Sequence, residues 1–173
     1  KEFLQVTELV PDNYNGYNNL ATIYFMTGRN SQAEAMWQKS IAIRPNAPAC
    51  SNLGTLYFYQ GKYAEATAMY EKATKIEALD YIIWGNLADS YGYTPGYSEK
   101  AKQAYEQAIQ LAVKEAEINP RDAHIHSSLA GYYANSGDIK NALAEIAQAR
   151  NQAPNDVIVL RKCVLVFEIA GQR

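Results

Sequence analysis

Catalysis or metal binding in this 173-residue sequence would fall first to two histidines, two cysteines and a handful of carboxylates. His124 and His126 stand two positions apart. On a helix that spacing turns their side chains about 200° from one another, so they cannot share a metal ion. Cys50 and Cys163 lie too far apart in sequence for a redox or zinc motif, and both fall where packing residues are expected. Two isolated cysteines fit a reducing compartment, so the expected location is cytoplasmic. Glu115 with Glu117, and Glu34 with Glu65 or Asp138, sit on charged outer faces, and no pair has a reason to converge as acid and base. The run 92–96 (GYTPG) lacks the Lys-Ser/Thr that a phosphate-binding loop needs. No Ser-His-Asp arrangement can be read. The expectation is a chain with no catalytic residues, no metal site and no cofactor.

Composition narrows the class of partner. Lysine plus arginine total 16 against 18 acidic residues, a net charge of −2. That balance argues against a nucleic-acid binder, whose affinity rests on many cationic contacts to phosphates. At 48% hydrophobic and 20% charged the chain has the means to fold. Its longest apolar runs, 157–160 and 164–167, fall far short of the ~18 residues that span a bilayer, so no membrane insertion is expected. No leader pattern opens the sequence, and Lys1 in place of an initiator Met reads as a cut inside a longer protein. Tyrosine is over-represented, with 14 against four Phe and two Trp.

The elements that would position any site emerge from self-similarity. Prolines recur at Pro11, Pro45, Pro120 and Pro154, the first two and the last two each 34 apart. Leu20, Leu53, Leu87 and Leu129 stand in matching contexts, and Cys163 takes the same place once more. Four residues after each comes an aromatic: Tyr24, Tyr57, Tyr91, Tyr133 and Phe167. A glycine follows at Gly28, Gly61, Gly137 and Gly171. Then come Ala33, Ala66, Ala101 and Ala142, with Trp37, Tyr70, Tyr105 and Ile146 four positions on. Tyr17, Leu20, Ala21 and Tyr24 share one helical face, and Ala33, Trp37, Ser40 and Ile41 another. Residues 31–34 (SQAE) read as a capping box for that second helix. Gly28 would close the first helix in a left-handed conformation, and Pro45 would end the second.

This pattern resembles the tetratricopeptide repeat (TPR), over essentially the whole chain. The resemblance implies an all-α, right-handed superhelical solenoid of antiparallel helix pairs, about ten helices in one array. Residues 1–13 would supply the second helix of a preceding repeat. Full repeats would cover 14–46, 47–80, 81–122 and 123–156, and 157–173 the first helix of a following one. Neither end carries the polar face of a cap, so exposed apolar surface and end-to-end self-association are expected there. Two departures stand out. The step from Leu87 to Leu129 holds eight extra residues, one in the turn 93–97 and seven (111–117, LAVKEAE) that lengthen the following helix to about 98–118. Seven residues are close to two turns, so the apolar stripe keeps its phase. The second repeat has Ala78 where the closing proline would be, and Cys50 in place of a bulky residue. The run 84–91 (WGNLADSY), the Pro-Gly turn and the long helix are also similar to TPR arrays of bacterial signalling proteins. On that likeness the alternative reading is a regulatory segment of a kinase or transcription regulator.

In this architecture the first helix of each pair lines the concave groove. The stripe facing it would be Asn15, Asn18, Thr22 and Phe25, then Ser51, Thr55, Phe58 and Tyr59. Gly85, Asp89 and Tyr93 follow in the third repeat, and His124, Ser127 and Asn135 in the fourth. Aromatics beside short polar groups suit a peptide or partner domain: rings give area, amides and hydroxyls satisfy its backbone. One TPR subclass holds acidic chaperone tails through a Lys, Asn and Arg clamp. Its first places here hold Asn18 and Thr22, Asn52 matches the central asparagine, and the basic places hold Ile82 and Asn86. With the clamp absent and Asp89 in the hollow, an acidic tail is disfavoured. The expected function is a non-catalytic protein–protein interaction scaffold.

Overall fold

The computed structural model describes residues 10 and 12–171. Among them lie nine α-helices and no strand: α1 (Tyr14–Met26), α2 (Asn30–Ile43), α3 (Ala47–Tyr59), α4 (Tyr63–Ile76), α5 (Tyr81–Gly92), α6 (Ser98–Ile118), α7 (Ala123–Ser136), α8 (Ile139–Gln152) and α9 (Val157–Ile169). The helix expected over 1–13 falls largely outside the described residues. The chain divides into two compact units. The first runs to Leu79 and takes in Asp89–Gly96, and the second comprises Asp80–Ala88 and the chain from Tyr97 onward.

In the first unit, Asn13 starts α1 by accepting the Gly16 amide at 3.1 Å. Tyr17, Leu20, Ala21 and Tyr24 form its buried face. Gly28 then turns the chain at φ +74°, a conformation open to glycine at little cost, and α2 returns along α1. Trp37, 1% exposed, and the small Ala21 and Ala33 let α1, α2 and α3 close on a shared core with Leu53 and Leu56. Ser40 donates to the Tyr14 carbonyl at 2.8 Å, tying the end of α2 to the start of α1. The expected capping box at 31–34 does not form. Arg29 occupies the cap position without a side-chain bond to the helix amides, and its carbonyl accepts the Gln32 and Ala33 amides. Ser31 therefore already lies inside the first turn. Asn46 caps α3 instead, accepting the Ala49 amide at 2.9 Å. The Thr67 hydroxyl donates to Ser90 at 3.0 Å, a bond sealed from solvent.

In the second unit each helix from α7 on is started by an aspartate. Asp122 accepts the amides of His124 and Ile125, Asp138 that of Asn141, and Asp156 those of Ile158 and Val159. These amides hold the Asp156 carboxyl below the usual carboxylate range. Ala130, Ala134, Ala142, Ile146, Val159, Cys163 and Val166 build the core between α7, α8 and α9. Trp84, half-buried, belongs to this unit. Helix α6 is 21 residues long against 12 to 14 for the others. Leu111 and Ala112 in its added segment are buried, so those turns pack and do not simply overhang.

Candidate functional site

Six rings form a continuous chain in the first unit. Phe25, from the last turn of α1, lies 5.7 Å from Trp37 and stacks on Tyr59 at 6.4 Å. Phe58 meets Tyr59 and Tyr93 edge to face, at 6.4 and 5.3 Å. Tyr63 closes the group, stacked on Tyr93 at 4.8 Å and edge-on to Phe58 at 5.3 Å. The chain runs from a buried floor to an open end. Phe25, Phe58 and Tyr63 are half-buried, whereas Tyr59 is 72% and Tyr93 60% exposed. Edge-to-face and offset stacking fix ring orientation, so the open tyrosines stand on a supported base.

One turn before these rings lies a polar row. Thr22 and Thr55 each donate their hydroxyl to the carbonyl four residues back, Asn18 and Ser51, at 3.1 Å. The Thr55 and Tyr70 hydroxyls share a hydrogen bond of 2.9 Å. Burial pushes the Tyr70 phenol up to about 12, and the Asp89 carboxylate adds to that shift. Asp89 itself is half-buried, one turn before Tyr93, whose amide bonds to its carbonyl at 3.3 Å. Asn18 is half-buried, with Oδ1 sealed and without a hydrogen-bond partner among the described residues. Ser51 is half-buried and Asn15 exposed.

The stripe residues of the second unit have other surroundings. Ser127 is 1% exposed and donates to the His124 carbonyl at 2.9 Å, so it faces inward and offers nothing to a groove. Gly85 is buried beneath Tyr132, whose hydroxyl reaches the Tyr81 carbonyl at 3.3 Å. Asn135 donates to the Tyr105 hydroxyl at 3.0 Å. His124 stays exposed, with Nε2 3.4 Å from Asp156. His126 is buried: Nδ1 lies 2.6 Å from the Glu145 carboxylate, and Nε2 lies 2.8 Å from the Gln148 amide nitrogen and 3.1 Å from the Pro120 carbonyl. The Gln152 amide donates to the same Pro120 carbonyl at 3.1 Å. Burial pushes the thiols of Cys50 and Cys163 up, away from the reactive thiolate.

Sequence reasoning missed Tyr63. It opens a second helix, off the periodic stripe, and only the Gly61 turn brings it under Tyr93. It also missed Glu145 as the partner of His126. The recurring tyrosines held a usable signal, since Tyr57 donates to Glu34 at 2.9 Å and Tyr91 to Glu71 at 2.7 Å. Among the described residues no cluster of three or more His, Cys, Asp or Glu could hold a metal ion. No described helix is long and apolar enough to cross a membrane.

Paired helices around small-residue contacts, with a supported aromatic face, define an all-α solenoid scaffold for protein interaction. Tetratricopeptide repeat models match residues 12–77 and 81–112, together more than half of the chain. The chain belongs to the tetratricopeptide repeat family, a fold that generally serves as a non-catalytic scaffold. No curated protein sequence matches it. Among solved structures it is similar to YrrB, a TPR protein with an unusual peptide-binding site. There the identity is 19% and the TM-score 0.62, with 100% of this chain and 86% of that one covered. It is similar to MamA at 20% identity and a TM-score of 0.62, covering 88% and 85%. A tetratricopeptide repeat protein from Parabacteroides merdae gives 17% and 0.65, covering 98% of this chain and 65% of that one. At these identities the likeness is one of fold.

Proposed function

We propose that this chain is a protein–protein interaction scaffold whose first unit binds an extended peptide across Phe25, Phe58, Tyr59 and Tyr93. The observation that carries this reading is the pair of open tyrosines at the end of a packed chain of rings. Exposed aromatic area held in place from below loses little conformational freedom on binding, which is the usual character of an interface anchor. Thr55 and Asp89 one turn away, and Ser51 two turns away, supply acceptors for backbone amides. The peptide-binding site of YrrB, similar in fold, is in keeping with this use. An acidic chaperone tail is not the ligand, because Ile82 and Asn86 stand where a clamp needs cations and Asp89 adds a negative charge. Nor is nucleic acid, given the near-neutral charge of the chain.

The test is a Tyr59→Ala/Tyr93→Ala double variant. Both rings are largely exposed, so far-UV circular dichroism and melting temperature should stay close to the parent. Retention of random-sequence peptides by the immobilised protein should fall by about tenfold or more, a loss of ~1.4 kcal/mol or greater. Undiminished retention would place the site elsewhere.

A second reading is favoured by α9. Val157, Ile158, Leu160 and Val164 all stand exposed on it, so this helix provides an apolar face for association with another copy of the chain.

A further inference from the structure

We infer that the segment held on the aromatic face of the first unit is proline-rich: an uncharged stretch in the polyproline II conformation. Its pyrrolidine rings lie against Phe58, Tyr59 and Tyr93, and its carbonyls accept hydrogen bonds from tyrosine hydroxyls. This rests on the peptide-binding reading above and adds the chemistry of the ligand.

The geometry of the rings carries the inference. Phe58 is half-buried, and Tyr59 and Tyr93 both meet it edge to face, at interplanar angles of 77° and 85°. The surface they form is therefore stepped, with corners between ring planes instead of one level patch. Tyr59 is held by Phe25, stacked within 22° of parallel, and Tyr93 by Tyr63 within 21°. All five rings belong to the first unit, Tyr93 through the stretch Asp89–Gly96. A compact saturated ring fills such a corner. A polyproline II chain presents those rings on a backbone already extended and stiff, so little is lost in ordering it. It advances ~3 Å per residue. A step of 5.3 to 6.4 Å between neighbouring rings thus spans about two of its residues.

Hydrogen-bonding capacity selects the same ligand. The hydroxyls of Tyr59, Tyr63 and Tyr93 have no hydrogen-bond partner among the described residues. Those of Tyr57, Tyr70 and Tyr91, in the same unit, are bonded to Glu34, Thr55 and Glu71. The aromatic face thus offers O–H donors beside its ring area. A proline-rich chain is the complement, since proline has no amide hydrogen and this conformation leaves every carbonyl without an internal partner. An ordinary extended peptide brings an amide for each carbonyl and has no such surplus of acceptors. Charge agrees. Helices α1 and α3, which supply Phe25, Phe58 and Tyr59, carry no ionised side chain. An uncharged ligand lies on them without leaving a charge desolvated and unpaired.

The experiment passes capped octapeptide pools over the immobilised full chain. Two pools fix a pair of prolines, two or three positions apart, and randomise the rest among uncharged residues. Matched pools carry Ala or Leu in place of both prolines. The better-held proline pool should be retained about fivefold or more over its Ala and Leu counterparts. Tyr59→Phe/Tyr93→Phe keeps both rings and removes both hydroxyls. It should cut retention of that proline pool about threefold or more and scarcely change that of the Leu pool. Both rings are largely exposed, and circular dichroism checks that the variant folds. A proline pool held no better than the Leu pool, or held undiminished by the Phe variant, overturns the inference. The peptide-binding reading then still stands if Tyr59→Ala/Tyr93→Ala lowers retention of whichever pool is held. Retention that this Ala variant does not reduce, or none at all by the parent protein, overturns both.

Discussion

Trp37 is enclosed by Phe25 on one side and by the α1–α3 core on the other, and its indole nitrogen is buried without a partner among the described residues. Trp37→Ala leaves a cavity that small neighbours such as Ala21 and Ala33 cannot fill, and should lower stability by ~3–5 kcal/mol in a denaturant titration. Trp37→Phe should lose much less, since no hydrogen bond is given up. Tyr70 makes stability depend on alkaline pH. Its phenol titrates near 10 in the unfolded chain and at about 12 in the fold, because burial disfavours the phenolate and Asp89 adds to it. The stabilisation is complete below pH 10 and is lost as pH rises towards 12. Unfolding titrations across that interval should show a shallower decline in Tyr70→Phe than in the parent. Part of the tyrosine surplus could be assigned from spacing, because Tyr17, Tyr24, Tyr70, Tyr91 and Tyr105 occupy recurring positions that the structure buries. Ser127 and Gly85 could not be placed. The matching positions in the first unit hold the half-buried Asn18 and Ser51, and what closes Gly85 and Ser127 fully is a non-recurring side chain, Tyr132 above Gly85, and a local bond at Ser127.

Two glycines record how closely helices approach. A Cβ on Gly54 would stand 2.9 Å from the Tyr70 ring, and one on Gly85 2.3 Å from that of Tyr132. Gly85→Ala should force Tyr132 off the Tyr81 carbonyl and destabilise the second unit by ~1–3 kcal/mol, seen as a lower melting temperature. Exposed Gly92, with open space around its Cα, is the control and should tolerate alanine. Helix positions and the length of α6 were readable in advance, since proline, glycine and the leucine steps mark helix ends by backbone geometry. The start of α2 was not. SQAE has the right residue types for a capping box, but the turn after Gly28 brings Arg29 to the cap position, and loop geometry outweighed side-chain preference.

Each unit holds its own apolar cluster, and the uncovered face of α9 belongs to the second. Val164 takes the place held by Ala21, Gly54, Ala88 and Ala130 in the earlier first helices, all of them buried, yet it stands 58% exposed. If copies of the chain associate through this face, the weight-average mass in sedimentation should rise with concentration. Val164→Glu should hold it at the monomer value, and a concentration-independent mass for the parent would sink the idea. The two tryptophans fall one to each unit, Trp37 fully enclosed in the first and Trp84 half-buried in the second. Each half of the molecule thus contains its own fluorophore, distinguishable by emission colour: bluer for the enclosed indole, redder for the partly hydrated one. Single Trp→Phe variants turn the unlabelled protein into a pair of optical reporters, each sensitive to its own surroundings.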